Sequence, residues 1–265
     1  VQLRLERPRL FVGVFDRPNL TYRVVAKEDK LSSILDTIRR YPDEGAIVYC
    51  LSRANTETLA KALVKHGIRA VAYHAGLDAD VRKMISEDFA HERTNVVVAT
   101  IAFGMGIDRA NVRCVIHDSM PKSMEGYVQE TGRAGRDGLP SECLMLYSAS
   151  DLIRIKRFFQ DMDDSTRSHH EALLEEVRRF AQSTQCRHQA LSRYFGQEYE
   201  LPEEGCGACD VCLGAFTAVP DGDVQARRIL AALSEIESKG RSSGVTFLSE
   251  VLVGKTTKTV QSRGG

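Results

Sequence analysis

The chain has 265 residues, longer than one average domain and long enough to bury a sizeable core, so we expect two or more domains. Hydrophobic residues make up 43% and charged residues 27%. No apolar run reaches the roughly 18 residues that a membrane span needs, so membrane and fibrous classes and a membrane partner are excluded. Lys and Arg number 36, as do Asp and Glu, so a nucleic-acid partner can be inferred only from local sequence.

The two ends of the chain predict a piece of a longer protein. The sequence begins on Val1 rather than methionine, has no signal-peptide pattern and ends in a polar, glycine-containing tail. Three isolated cysteines, Cys50, Cys114 and Cys143, lie inside apolar runs, so we predict that they are buried packing residues. Free thiols without a secretory signal favour a reducing compartment.

Short β-branched runs alternate with helix-period stretches between Ala46 and Tyr147. Continuously apolar strands separated by helices are typical of a parallel sheet covered by helices on both faces. We therefore predict that residues 1–150 form one α/β domain. The predicted strands are 46–50, 70–73, 95–100, 112–117 and 143–147.

The pattern becomes helical after Ser150. Apolar residues at helical spacing precede a cysteine-rich segment, so residues 151–219 are predicted to be a helical domain. Pro220, Asp221 and Gly222 indicate a turn-rich linker. Beyond it, the span from Val224 to Ile236 has one apolar helix face, and residues 220–265 are predicted to begin a third, incomplete domain.

Four cysteines lie close together in the second domain: Cys186, Cys206, Cys209 and Cys212. Four thiolates at such spacings can close a tetrahedron around zinc, and a site filled by four protein ligands is structural. Gly205 and Gly207 would let the backbone turn tightly around the metal. The alternatives are a coincidental cluster or a redox pair, although a redox motif usually opens a helix after a strand.

The stretch from Tyr127 to Gly138 places Arg133 and Arg136 three residues apart, with glycines between and beside them. At a helix end this spacing would put both guanidiniums on one face, where they can reach the same polyanion. A solvated charged turn is the alternative that the two arginines alone leave open.

This stretch resembles motif VI of superfamily 2 helicases, and its residues are similar to those of the RecQ DNA helicases. Other segments resemble that family in the same order: residues 15–20 the approach to the second RecA-like lobe, 47–53 motif IV, 72–77 the next block, 96–108 motif V and 186–212 the zinc subdomain. The resemblance covers about residues 11–260. It implies a RecA-like second lobe, a helical zinc-binding subdomain and the N-terminal part of a winged-helix domain.

The resemblance implies an ATP-dependent 3′ to 5′ DNA helicase of recombination, repair and replication, including the SOS response. ATP with Mg²⁺ would bind between this lobe and another one, and zinc would be structural. Arg136 is implied as the arginine finger, with Arg133 beside it. Gly106 and Asp108 would meet the nucleotide, and Gln129 would link it to the DNA.

The implied DNA contacts follow predicted strand ends, where a parallel sheet places its binding loops. They are Ser52, Arg53, His74, Gly76, Thr100 and Phe103. His74 could equally be a packed core histidine, and Asp108 could be a helix or turn cap. We expect single-stranded and partly duplex DNA, a single-strand-binding protein and recombination or repair proteins as partners of a monomer in the bacterial cytoplasm, at the nucleoid.

The sequence has no G-x-x-x-x-G-K-[ST] loop. Gly254-Lys255-Thr256-Thr257 fails because Ser249 stands where the first glycine is required. We therefore expect the isolated chain not to hydrolyse ATP. A non-enzymatic module that binds DNA or a partner is the main alternative, and the cysteine pattern argues against an RNA helicase or remodeller.

Overall fold

The computed structural model describes residues 13–104, 108–216, 220–239, 244–255 and 257. The chain divides into two compact units, Val1–Ala215 and Phe216–Gly265. Within the described residues, none of the helices combines the length and the apolar character needed to cross a membrane.

The first unit contains a six-stranded sheet in which all the pairings are parallel. In the order β1-β6-β5-β2-β4-β3, the chain crosses from one side of β2 to the other between β4 and β5. This confirms the predicted parallel sheet. The strands are β1 (Leu20–Ala26), β2 (Gly45–Tyr49), β3 (Ala70–Tyr73), β4 (Val96–Ala99), β5 (Val112–His117) and β6 (Ser141–Tyr147).

Helices cover both faces of the sheet, as predicted. Along β2, Ile47 belongs to one hydrophobic cluster with Phe89 and Tyr127, whereas its neighbour Val48 belongs to another with Ile34 and Leu63. Alternate residues of a strand point to opposite faces, so each central strand contributes to both clusters. The helices are α1 (Lys30–Arg39), α2 (Arg53–Lys65), α3 (Ala79–Ala90), α4 (Met124–Thr131), α5 (Ala149–Arg157), α6 (Asp164–Gln182) and α7 (Arg187–Tyr194).

The segment that contains Cys206, Cys209 and Cys212, here called the cysteine loop, covers the outer edge of β1. The Tyr22 N–H donates to the Ala208 carbonyl (3.1 Å), and the Asp210 N–H donates to the Tyr22 carbonyl (2.9 Å). The Val24 N–H donates to the Asp210 carboxylate (2.8 Å). An uncovered edge strand would leave these main-chain groups without partners in the sheet. The cysteine-rich segment is thus attached to the α/β sheet.

The second unit contains α8 (Gly222–Ser238) and α9 (Val245–Leu252), and α8 includes the helix predicted from Val224 to Ile236. In the described part of this unit, neither helix contains a buried residue. Gly254 follows the end of α9 with φ +70°, and the Lys255 N–H donates to the Glu250 carbonyl (2.9 Å). Gly254 and Lys255 therefore follow the end of a helix, whereas a phosphate-binding loop precedes one. This agrees with the conclusion from the sequence that the segment is not a phosphate-binding loop.

Arg109 joins several turns at the amino-terminal edge of the sheet. Its side chain donates to the Phe89 carbonyl (3.2 Å), the Thr94 carbonyl (3.0 Å) and the side chains of Asn111 (2.7 Å) and Asn95 (3.3 Å). The residue is 3% exposed, so its partners are shielded from water. Loss of these hydrogen bonds would leave buried acceptors without a donor, which is costly.

We expect Arg109→Ala to lower the free energy of unfolding by about 3 kcal/mol, because buried carbonyls lose a charged donor. Urea denaturation measures the change. The control is Arg39→Ala, which removes an exposed side chain with one long hydrogen bond to the His66 carbonyl (3.4 Å). It should cost less than about 0.5 kcal/mol. Equal losses in the two variants would contradict the structural role of Arg109.

Candidate functional site

The sulfur atoms of the four clustered cysteines lie within 4.8 Å of one another. In a tetrahedral centre with Zn–S bonds of about 2.3 Å, neighbouring sulfurs are about 3.8 Å apart. The four thiols therefore fit zinc with small side-chain movements, and all four ligand positions are filled by protein. The cluster consists of Cys186, Cys206, Cys209 and Cys212.

The main chain around the cysteines is shaped for this arrangement. Gly205 and Gly207 have φ values of +88° and +66°, which favour glycine. The Ala208 N–H donates to the Cys206 sulfur (3.4 Å), and the Cys212 N–H donates to the Cys209 sulfur (3.4 Å). Hydrogen bonds of this kind orient thiolate ligands and stabilise their charge. The predicted structural zinc is consistent with this donor set.

A buried ion pair connects the two parts of the cysteine cluster. Arg187, next to Cys186, donates to both carboxylate oxygens of Asp210, with distances of 2.8 and 3.1 Å. Arg187 is fully buried, and its guanidinium also donates to the Phe180 carbonyl. The sequence analysis missed this pair, although both residues directly follow cysteine ligands.

A cleft of about 410 Å³ opens at the carboxyl ends of β2, β4 and β5 and is bounded by α4. Parallel sheets bind ligands where the chain crosses from one side of the sheet to the other, and this cleft lies at that point. Of the predicted site residues, it brings together Thr100, Gln129 and Arg133.

Two further residues of the cleft, His117 and Glu130, were not predicted from the sequence. The buried His117 ring bonds through Nε2 to the Glu130 carboxylate (2.6 Å), and it lies beside Tyr49 and Tyr127. The Tyr49 hydroxyl donates to the Phe103 carbonyl (3.2 Å), and burial raises the pKa of Tyr49, which keeps it protonated. These contacts join the ends of β2 and β5 to α4.

The two motif VI arginines lie beyond the end of α4 and not on a shared helix face. The helix ends at Thr131 with Gly132 as its C-cap, and Gly135 has φ +55°, so the chain turns before Arg136. Arg133 donates to the Gly104 carbonyl, whereas Arg136 pairs with the exposed Asp108 carboxylate (3.1 Å). Both therefore contact the motif V segment, at separate places. Gly106 lies outside the described residues.

A buried arginine anchors the far side of residues 132–139, here called the arginine-bearing turn. Arg113 pairs with Asp137 and donates to the Ser141 hydroxyl (2.9 Å). Desolvation acts to raise the pKa of Asp137, but hydrogen bonds from Arg113 and the Leu139 N–H hold it below its ordinary value. Asp137 is therefore ionised at neutral pH and keeps its bond to Arg113.

The predicted DNA contacts after β2 and β3 lie together. The Ser52 hydroxyl accepts from the Asn55 N–H (3.2 Å) and caps α2. Arg53 is exposed and close to Gly76, where a Cβ would lie 2.9 Å from the Arg53 Nη1. The His74 ring is buried and bonds to the Gly76 N–H (3.2 Å) and to Glu57 (3.2 Å), which matches the packed, hydrogen-bonded alternative.

The residues after β4 differ in exposure. Thr100 is half-buried and lines the cleft. The Phe103 ring is 1% exposed and packs against Tyr73 and Phe89, with centroid distances of 4.7 and 5.5 Å. The Phe103 side chain therefore belongs to the hydrophobic core, whereas the Thr100 side chain of the same loop can reach a ligand in the cleft.

Comparison with known proteins identifies the class of domain. Residues 26–138 match the helicase conserved C-terminal domain, and residues 149–213, which contain the four cysteines, match the RecQ zinc-binding family. Among solved structures, the chain is 25% identical to the E. coli DEAD-box protein SrmB, with a TM-score of 0.43 over 52% of this chain and 84% of that one. The two family matches define a helicase C-terminal lobe with a zinc-binding module.

The relatives narrow this class to one family. The chain is 36% identical over 260 residues to the ATP-dependent DNA helicase RecQ of Pasteurella multocida, covering 98% of this chain and 40% of that protein. It is 42% identical over 219 residues to the RecQ-like DNA helicase blm-1 of Caenorhabditis elegans, covering 79% and 22%. The chain belongs to the RecQ helicase family, as its motifs predict, and spans less than half of these relatives' length.

We expect the purified protein to contain about one zinc ion per chain, and Cys206→Ala to lose it because three thiolates leave the tetrahedron open. Metal analysis measures the zinc. Limited proteolysis should then show cleavage within 149–213, while the central strands stay protected. Cys143→Ala, which removes a buried packing thiol, is the control and should retain zinc. An intact 149–213 region in zinc-free Cys206→Ala would contradict the structural role of the metal.

Proposed function

We propose that this chain supplies one motor lobe and the zinc module of an ATP-dependent DNA helicase that moves 3′ to 5′. The observation that carries the proposal is the pairing of Arg136 with Asp108 across motifs VI and V. This contact brings together an exposed cation and an exposed carboxylate that the resemblance assigns to the same nucleotide.

Arg136 is suited to act as an arginine finger. Its side chain is 37% exposed and its partner Asp108 is 94% exposed, so their ion pair is screened by water and contributes little to stability. The guanidinium can therefore exchange this partner for the γ-phosphate of ATP bound to a second lobe, where it stabilises the charge of the transition state. Mg²⁺ would accompany that ATP.

Arg133 has a different environment and, we propose, a supporting role. It is half-buried and donates to the Gly104 carbonyl, so it holds the motif V segment beside the motif VI turn. Gly106 and Asp108 belong to that segment, and we propose that they contact the nucleotide. Gln129 lies on α4, four residues before Arg133, and lines the cleft, where it can link nucleotide to DNA.

The proposed DNA track runs along the carboxyl ends of β2, β3 and β4. The exposed Arg53, the Ser52 hydroxyl and the main chain at Gly76 can contact phosphates without contacting bases. Thr100 adds a hydroxyl at the neighbouring strand end. Contacts of this kind are independent of base sequence, which a translocating motor requires. Lobe opening and closing during ATP turnover would then move the strand by alternating grip.

The proposal extends to the whole protein. Residues 1–150, 151–219 and 220–265 would be the helicase lobe, the zinc subdomain and the start of a winged helix. The substrates would be single-stranded and partly duplex DNA in recombination, repair and replication, including the SOS response. We propose a monomer in the bacterial cytoplasm, at the nucleoid, with a single-strand-binding protein among its partners.

In the full-length protein, we expect Arg136→Ala to lower the kcat of DNA-stimulated ATP hydrolysis by about 10³-fold or more, because the transition state loses a cation. Nucleotide affinity should change little. Steady-state ATPase assays with and without single-stranded DNA measure the effect. The control is Arg167→Ala, because Arg167 is also 37% exposed and also pairs with an exposed aspartate, Asp164.

Near-normal turnover in Arg136→Ala would contradict the finger assignment. If the unsubstituted full-length protein bound DNA but did not hydrolyse ATP, the alternative of a non-enzymatic binding module would be favoured instead. The 265-residue chain alone should not hydrolyse ATP with or without DNA, since its sequence has no phosphate-binding loop.

A further inference from the structure

Residues 13–19, here called the strap, lie before β1 and contact the zinc module. The Phe15 ring stacks on Phe195, with ring centroids 4.5 Å apart. The Phe15 N–H donates to the Gln197 side chain (2.7 Å), whose amide donates in return to the Gly13 carbonyl (2.8 Å). This end of the strap is therefore attached to the residues that follow α7.

A second contact brings the strap next to the zinc ligands. The Asp16 carboxylate bonds to His188 Nδ1 (2.5 Å), and His188 Nε2 bonds to the Ala208 carbonyl (3.1 Å). Ala208 lies between two of the cysteines and also pairs with β1. The strap is thus connected to both sequence segments that carry the cysteines.

The other end of the strap holds the arginine-bearing turn, residues 132–139. Arg17 Nη2 donates to the Ala134 carbonyl (3.1 Å) and the Gly135 carbonyl (2.7 Å). Asn19 Nδ2 donates to the Gly135 carbonyl (2.9 Å) and to the Leu139 carbonyl (3.0 Å). Four side-chain hydrogen bonds thus fix the main chain on both sides of Arg136.

The fit between strap and turn is close. A Cβ added to Gly135 would lie 2.5 Å from Asn19 Nδ2 and 2.8 Å from the Ser141 hydroxyl. The turn lies between α4 and β6, so helix and strand hydrogen bonds do not determine its path. Its geometry depends on these donors, on the Gly135 N–H bond to the Val112 carbonyl (2.9 Å) and on the Arg113–Asp137 pair.

We propose that Arg17 and Asn19 are positioning residues for ATP hydrolysis: they hold the turn that presents Arg136 and connect its position to the zinc module. This inference rests on the proposed role of Arg136. Neither side chain needs to touch the nucleotide. A displacement of about 1 Å in a catalytic group can cost about 10²-fold in rate, so loss of these bonds should reduce turnover.

The test uses Arg17→Ala and Asn19→Ala in the full-length protein. We expect kcat for DNA-stimulated hydrolysis to fall about 10- to 100-fold, while KM for ATP, zinc content and affinity for single-stranded DNA stay within about twofold. Arg17→Lys should recover much of the rate, because an ammonium can still donate to a carbonyl. Arg40→Ala is the control, since Arg40 pairs with Glu142 (2.6 Å) and its hydrogen bonds do not reach the turn.

Hydrogen exchange provides a readout that does not depend on catalysis. The Gly138 N–H donates to the Gly135 carbonyl (3.0 Å), so its exchange should accelerate when the strap releases the turn. Faster exchange over 132–139 with lower kcat supports the proposal. Unchanged kcat, or lower kcat with unchanged exchange, overturns it. If Arg17→Ala loses zinc, the milder Asn19→Ala decides.

The two proposals can fail separately. If Arg136→Ala retains normal turnover, the finger assignment fails, whatever the strap variants do. If Arg136→Ala is inactive but the strap variants show normal kcat and normal exchange, the finger assignment survives and the positioning role of Arg17 and Asn19 is wrong.

Discussion

The main-chain pairing between Tyr22 and the cysteine loop is the constraint on which the rest of the first unit depends. It completes the outer edge of β1 with the segment that carries three of the four cysteines. The buried Arg187–Asp210 pair supports the same junction, because the Asp210 carboxylate also accepts from the Val24 N–H. Removing one partner of a buried ion pair is strongly destabilising, because the other charge is left buried without a partner. Zinc held by the four cysteines would therefore stabilise an edge of the sheet as well as its own module.

The junction between β1 and the cysteine loop also connects the zinc module to the proposed DNA and nucleotide contacts. The parallel strands place the proposed DNA contacts at the carboxyl end of the sheet, and α4 leads from that end towards the arginine-bearing turn. The strap, which directly precedes β1, reaches this turn from the zinc module. Residues that bind metal, nucleotide and DNA in our proposal are thus connected through short contacts within one compact unit.

Local sequence patterns predicted the central strands, the helices between them and the four clustered cysteines. β1 was missed, although Leu20, Tyr22 and Val24 alternate with polar residues, as an edge strand should. Long-range pairs such as Arg17 with Gly135 have no local signal, because they join segments far apart in the chain. Phe103 was predicted to contact DNA, but its side chain is buried. The sequence alone cannot distinguish the two cases, because an aromatic residue that follows a strand can lie in a binding loop or in the core.

The most direct measurement of the central claim is amide hydrogen exchange of this chain with zinc bound and after chelation. Our account predicts that zinc removal accelerates exchange in three places: within 186–213, at Tyr22 and Val24 of β1, and over 132–139. β2 and β4, at the centre of the sheet, should change little. Faster exchange confined to 186–213 would contradict the account, because it would make the zinc module independent of the helicase lobe.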